Sequence, residues 1–160
     1  MRLVQVERMY YKIKNPFAKG HLKKHPARYA LYEHIVHNVL FPECPIELLG
    51  ITEDLHEARL VYRQRAVRSG GRPDDAQISR WLADIGLEPA ERYCFGNTKL
   101  FVMDVGQDSD NVLWNPPNAL FFIDPIIGFR EPLCRRLESM DFSESMIREF
   151  VYEVLALSGF

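Results

Sequence analysis

Several signals that would identify a broad class of protein are absent from this 160-residue sequence. Its three cysteines, Cys44, Cys94 and Cys134, lie far apart without a CxxC pair, so neither a disulfide framework nor a zinc site is predicted. No apolar run approaches the roughly 20 residues of a membrane span. The first residues also lack the apolar middle of a signal peptide. We therefore expect a soluble, cytoplasmic protein.

The sequence also lacks an excess of charge of either sign. It has 20 Lys and Arg against 22 Asp and Glu, a net charge of -2, which gives no bulk attraction to nucleic acid or to anionic lipid. Internal repeats and low-complexity tracts are absent as well. With 47% hydrophobic residues, the chain is expected to fold as a single domain over residues 1–160.

The spacing of apolar residues predicts the elements of the first half. Residues 2–14 alternate as one or two strands, and residues 27–41 follow the spacing of an amphipathic helix. The strings "IELLGI" and "ARLVYRQRAV" predict two antiparallel strands. Residues 1–67 thus form a small sheet with one helix, and the Gly- and Pro-bearing residues 68–73 form a hinge-like connector.

Residues 74–160 are predicted to hold helices and short hairpins. Asp74 or Asp75 can cap a helix that Gly86 ends. Short strand-like strings between residues 92 and 124 are separated by turn residues. Two helices close the chain, the second one starting at Ser143. The predicted fold class is α+β.

Two polar residues in this second half have the chemistry of a metal site. Asn111 precedes a short apolar run, and Asp124 ends a second one thirteen residues later. Mg²⁺ prefers oxygen ligands and is commonly held by one or two protein groups together with phosphate oxygens. A bound cation would offset the cost of desolvating the Asp124 carboxylate. The alternative is that Asp124 turns the chain before Pro125 and that Asn111 is a plain turn residue.

Histidines offer a weaker metal site. His34 and His37 lie one helical turn apart, but no third ligand is near in sequence. We interpret them as surface residues.

An ordered set of short strings resembles a known family, the small protein-kinase-like domains of the polyvalent proteins of phages and mobile elements. The resemblance runs from about Tyr10 to Ile127 and implies a minimal, truncated protein-kinase-like fold. The strings are "YYKIKNP", "HNVLFP", "LLGIT", "LVYRQRAV", "DDAQISRWLADIGL", "MDVGQDSDNVL" and "ALFFIDPI".

The resemblance implies a site for ATP, or another purine nucleotide, with Mg²⁺. Lys12 would be the strand lysine that contacts the phosphates, and Glu33 would hold it by an ion pair. Asn111 and Asp124 would be the Mg²⁺ ligands, because their spacing matches the interval between these ligands in kinases. Asp104 is the nearest match to the residue that accepts the proton of the substrate hydroxyl.

The sequence departs from the kinase pattern at several points. The interval from Asp104 to Asn111 is two residues longer than the usual five, which keeps Asp108 as an alternative base. No glycine-rich loop precedes Lys12, so the lid over the phosphates is expected to be missing or to lie outside this chain. "MDVG" and "IDPI" stand where His-Arg-Asp and Asp-Phe-Gly would be.

These observations leave three functional hypotheses. The first is a phosphotransferase that acts on a hydroxyl of a protein or a small molecule. The second is a non-catalytic, pseudokinase-like module that binds a partner protein. The third is a domain that forms homo-oligomers through an exposed N-terminal edge strand.

Overall fold

The computed structural model describes residues 2–6, 9–14, 26–54, 57–91, 94–106, 108–115, 117, 119–139 and 143–157. Among these residues, no helix has the length and apolar character needed to cross a membrane. The helices are α1 (Pro26–Leu40), α2 (Asp75–Asp84), α3 (Glu131–Ser139) and α4 (Glu144–Leu157). The strands are β1 (Arg2–Val6), β2 (Met9–Lys14), β3 (Ile46–Asp54), β4 (Glu57–Arg65), β5 (Glu88–Glu91), β6 (Cys94–Gly96), β7 (Leu100–Met103), β8 (Val112–Asn115), β9 (Ala119–Phe122) and β10 (Ile126–Phe129).

The first half of the chain forms an antiparallel sheet in the order β1-β2-β4-β3. Residues 2–6 and 9–14 therefore form two strands, and the predicted antiparallel pairing of the next two strands is confirmed. Because β2 pairs with both β1 and β4, Lys12 lies on an interior strand. With helices and antiparallel sheets both present, the predicted α+β class is confirmed.

The second half contains a four-stranded sheet in the order β10-β7-β6-β5 and the separate hairpin β8–β9. Two of these strands, β5 and β10, were not predicted from the sequence. The string "EPAE" of β5 has no strand periodicity, and its proline is tolerated because β5 is an edge strand. Both strands depend on pairing with a neighbour, which local sequence does not encode.

Helix α1 connects the two halves through opposite faces. Ala30 and Leu31 pack against the first sheet, whereas Tyr32 and Val36 join the main core with Phe150 of α4. The rings of Tyr32 and Phe150 meet edge to face at 4.9 Å. The helix was predicted to be amphipathic, but it is buried on two sides because it lies between two layers of the fold.

Helix α2 begins with the predicted cap, and of the two candidates the capping residue is Asp74. Its Oδ1 accepts a hydrogen bond from the Gln77 backbone N–H at 2.7 Å, and the Gln77 side chain accepts one from the Asp74 N–H at 2.9 Å. This reciprocal pair is a capping box, which satisfies two backbone donors that the helix leaves unpaired.

We expect Asp74→Ala to lower the free energy of unfolding by about 1 kcal/mol, because this helix end would lose its side-chain acceptor. Urea denaturation followed by circular dichroism measures the difference. Asp84→Ala, at the other end of α2, serves as the control. Equal stability of Asp74→Ala and the unmodified protein would contradict the role of the cap.

Candidate functional site

Asp104 and Asn111 meet at the start of the hairpin β8–β9. The Asn111 side-chain amide donates to Asp104 Oδ2 at 2.7 Å and to the Asp104 backbone oxygen at 3.2 Å. Asp104 directly follows β7, and Asn111 directly precedes β8. Two residues that are seven positions apart are thereby held in direct contact.

The intervening loop is closed by Ser109. Its Oγ donates to the Asp104 backbone oxygen at 2.8 Å and accepts from the Asn111 N–H at 3.1 Å, and its own N–H donates to the Gly106 oxygen at 2.9 Å. Asp104 has a φ of 62°, in the left-handed region that non-glycine residues rarely adopt. Such backbone strain is often found at functional sites. Sequence analysis did not identify Ser109, although serine in a polar turn is the usual signal for this bonding.

Two strand pairings bring the backbone on either side of Asp124 close to Asn111 and to the end of β7. The Ile123 N–H donates to the Asn111 backbone oxygen at 2.8 Å, which extends the β8–β9 ladder to the residue before Asp124. On its other side, β10 pairs with β7 so that Ile126 lies opposite Met103, next to Asp104. Asp124 is half-buried and lies between these two pairings, one residue after Ile123 and two residues before Ile126. Asp108 lies in the exposed turn of the loop.

His37 anchors the strand that leads to Asp124. Its Nε2 donates to the Phe122 backbone oxygen at 2.9 Å, so α1 is tied to the hairpin two residues before the carboxylate. His37 and His34 are only 3% and 7% exposed. The prediction that both are surface residues was therefore wrong, because α1 is covered on two sides.

The hairpin β8–β9 has two distinct faces. Val112, Leu120 and Phe122 are buried in the core. Alternation along β8 places Leu113 and Asn115 on the other face, and the cross-strand partner of Leu113 is Phe121. Asn111 lies two residues before Leu113, so the same alternation places it at one end of this second face.

A cavity of about 600 Å³ lies at the other end of this face. It is bounded by the hairpin, by the chain just after β4, and by Glu43 in the loop between α1 and β3. Its lining residues are Glu43, Arg65, Ala66, Val67, Arg68, Asn115 and Phe121. The cavity thus combines an aromatic side chain with charged and amide groups.

The connector after β4 is held against the same hairpin. The Gly70 N–H donates to the Trp114 oxygen at 2.7 Å, and the Trp114 N–H donates to the Gly71 oxygen at 3.2 Å. Arg72 forms an ion pair with Asp110 in the loop that precedes β8. Backbone hydrogen bonds therefore join the connector to β8, and the ion pair joins it to the loop that precedes β8.

The remaining predicted residues lie on the first sheet and α1. Lys12 in β2 is the registered partner of Tyr62 in β4, and the half-buried Glu33 lies on α1. Burial, together with the nearby Glu33 charge, raises the pKa of the Tyr62 phenol. The ring of His34, the residue after Glu33, stacks on the Tyr62 ring at 3.8 Å, so this part of α1 lies against β4. The predicted contact itself involves the Lys12 side chain, which lies outside the described part of the structure.

The oxygen donors at the hairpin fit a hard divalent cation. Asn111 uses its amide nitrogen for Asp104, so its Oδ1 is a separate oxygen that can serve as a ligand, and Asp124 adds a carboxylate. No group of three His, Cys, Asp or Glu side chains in the described ranges could hold a metal ion. A cation between Asn111 and Asp124 would consequently need further oxygens, such as those of phosphate groups.

Comparison with protein-family models places the chain in the protein-kinase class. Residues 9–131 match the model described as "Serine/Threonine/Tyrosine Kinase found in polyvalent proteins". Since this match covers more than half of the sequence, the chain belongs to that family, and the kinase-like resemblance is confirmed. Neither a curated protein nor a solved structure shows significant similarity to the chain.

Proposed function

We propose that this kinase-family chain binds ATP, or another purine nucleotide, together with Mg²⁺ and transfers phosphate to a hydroxyl group. The observation that carries the proposal is the hydrogen bond between the Asn111 amide and Asp104 Oδ2, together with the backbone bond from Ile123, the residue before Asp124, to Asn111. Family membership alone supports a kinase-like function without naming these residues.

The nucleotide would lie along the hairpin face with its base in the cavity and its phosphates at the Asn111 end. Four residue steps separate Asn115 from Asn111, a distance of about 13 Å along a strand. Phe121 offers the base an aromatic surface. Lys12 would neutralise phosphate charge, and Glu33 would orient that lysine.

Asn111 Oδ1 and the Asp124 carboxylate would hold the metal, and a bound Mg²⁺ supplies neutralisation of phosphate charge. Asp104 would accept the proton of the attacking hydroxyl. Asn111 contacts only one of its carboxylate oxygens, Oδ2, which leaves Oδ1 as the acceptor. This arrangement favours Asp104 over Asp108 as the base.

The test is a calorimetric titration of ATP into the chain with and without Mg²⁺. The proposal predicts binding that strengthens when the metal is present. Transfer is then followed by incubation with radiolabelled ATP and a generic protein acceptor. Absence of ATP binding under both conditions would contradict the proposal, whereas binding without transfer would favour the non-catalytic hypothesis.

We expect Phe121→Ala to weaken ATP binding about tenfold or more, since stacking of a base on an aromatic ring typically contributes about 1–3 kcal/mol. The same titration measures the loss. Tyr152→Ala is the matched control, because Tyr152 is an exposed aromatic residue of α4 that does not line the cavity. Equal losses in both variants would argue against a base site at Phe121.

A further inference from the structure

Ser109 lies in the loop between Asp104 and Asn111 and bonds to both of them. Its Oγ donates to the Asp104 backbone oxygen at 2.8 Å and accepts from the Asn111 backbone N–H at 3.1 Å. A serine hydroxyl is both a donor and an acceptor, so one side chain can serve both residues at once. A single half-buried residue therefore links the proposed base to a proposed metal ligand.

The same serine accommodates the length of this loop. The interval from Asp104 to Asn111 is two residues longer than the usual kinase interval. The Ser109 N–H donates to the Gly106 oxygen at 2.9 Å, which is the hydrogen bond that closes a four-residue β-turn. This turn folds the additional residues back, and the Asn111 amide still reaches Asp104 Oδ2 at 2.7 Å.

The backbone conformation of Asp104 is supported by these hydrogen bonds. Asp104 is exposed and has a φ of 62°, a conformation that costs a non-glycine residue free energy. Its backbone oxygen accepts from Ser109 Oγ at 2.8 Å and from Asn111 Nδ2 at 3.2 Å, so both of its lone pairs are used. Without the hydroxyl, one of these bonds is lost and the Asn111 N–H loses its acceptor. The strained backbone can then relax and move away from Asn111.

We propose that Ser109 is a positioning residue that holds Asp104 and Asn111 in fixed relative positions for Mg²⁺ binding and phosphate transfer. The inference rests on the proposed function, in which Asp104 is the base and Asn111 Oδ1 is a metal ligand. Both bonds of the hydroxyl go to these two residues, so Ser109 acts through them. Small displacements of reacting groups cost large factors in rate, which makes such support important.

Ser109→Ala tests the inference because it removes only the hydroxyl. The Mg²⁺ concentration needed for half-maximal ATP binding should rise about 10- to 100-fold, the usual cost of losing a group that orients a metal ligand. ATP affinity without Mg²⁺ should stay unchanged. The rate of ADP formation at saturating ATP and Mg²⁺ should fall about tenfold or more, because Asp104 is misplaced. A hydroxyl with a purely structural role would lower the melting temperature and leave the Mg²⁺ requirement unchanged.

Two further variants serve as controls in the same calorimetric titrations and ADP assays. Ser109→Thr keeps a hydroxyl at this position and should retain the Mg²⁺ requirement and the rate of the unmodified chain. Ser139→Ala removes a hydroxyl that makes a comparable bond, at 2.9 Å to the Arg136 oxygen, but lies at the end of α3. It should leave both quantities unchanged.

Hydrogen exchange tests the positioning without nucleotide. The Asn111 N–H should exchange faster in Ser109→Ala, because its acceptor is gone, and should stay protected in Ser109→Thr. The Ile123 N–H, which donates to the Asn111 oxygen at 2.8 Å, reports on the rest of the hairpin and should exchange at its original rate. Faster exchange of both amides would overturn the inference, since Ser109 would then stabilise the hairpin as a whole.

The outcomes distinguish this inference from the proposed function. An unchanged Mg²⁺ requirement in Ser109→Ala would overturn the role at Asn111, and an unchanged rate would overturn the role at Asp104, while nucleotide binding stands. If the unmodified chain binds ATP but forms no ADP, the role at Asp104 is overturned and the Mg²⁺ requirement decides the role at Asn111. If the unmodified chain does not bind ATP with Mg²⁺, the proposed function fails and this inference fails with it.

Discussion

Asp124→Asn is expected to abolish the Mg²⁺-dependent part of ATP binding, with a loss of more than about 100-fold. Changes to groups that merely orient metal ligands typically cost 10- to 100-fold, and Asp124 would be a ligand itself. Asparagine preserves the size of the side chain but removes the charge that attracts the cation. Calorimetric titrations with and without Mg²⁺ measure the effect directly.

A matched control is available on the surface. Asp84, exposed at the end of α2, carries the same charge and lies outside the hairpin site. Asp84→Asn should therefore leave the metal dependence intact while changing the net charge equally. If Asp124→Asn retained the full Mg²⁺ effect, the assignment of Asp124 as a metal ligand would be wrong.

Phe122→Ala is expected to produce the largest loss of stability, about 3–5 kcal/mol. The Phe122 ring lies 4.4 Å from the ring of Phe41 and 4.8 Å from that of Trp81, measured between centroids, and its side chain is fully buried. Removing it would leave a cavity where the hairpin meets α2 and the end of α1. Urea denaturation gives the change in unfolding free energy.

The same substitution should also affect binding. The Phe122 backbone oxygen accepts the His37 hydrogen bond, and Asp124 follows two residues later, so a loosened hairpin end would misplace the proposed metal ligand. Phe122→Leu retains much of the volume and should cost less than about 1.5 kcal/mol. A loss below about 1 kcal/mol for Phe122→Ala would show that this aromatic cluster does not stabilise the fold.

Local sequence signals predicted a structural feature correctly where all the residues that form it lie within one short segment. Asp74 and Gln77 predict the start of α2 because both members of the capping box lie within four residues. The apolar strings that follow Asn111 and precede Asp124 were predicted as strands, and they form β8 and β9. The role of Asn111 and Asp124 as metal ligands stays a prediction.

Non-local contacts could not be predicted from the same signals. The partners of β5 and β10 lie in other strands, and His37 reaches a backbone oxygen 85 residues away in sequence. The sequence around Tyr62 indicates only a strand residue, whereas its stacking on His34 of α1 is a tertiary contact. Lys12 and Glu33 were paired only through a family resemblance, and their contact stays a prediction.

The sequence by itself determined the α+β class, the order of the main elements and the kinase family, since periodicity, caps and ordered motifs are local properties of the chain. Only the tertiary structure decided which residues meet: Asn111 with Asp104, His37 with the strand before Asp124, and Tyr62 with α1. These contacts join residues from different elements. They form only when burial of the shared core offsets the entropy lost in bringing distant segments together.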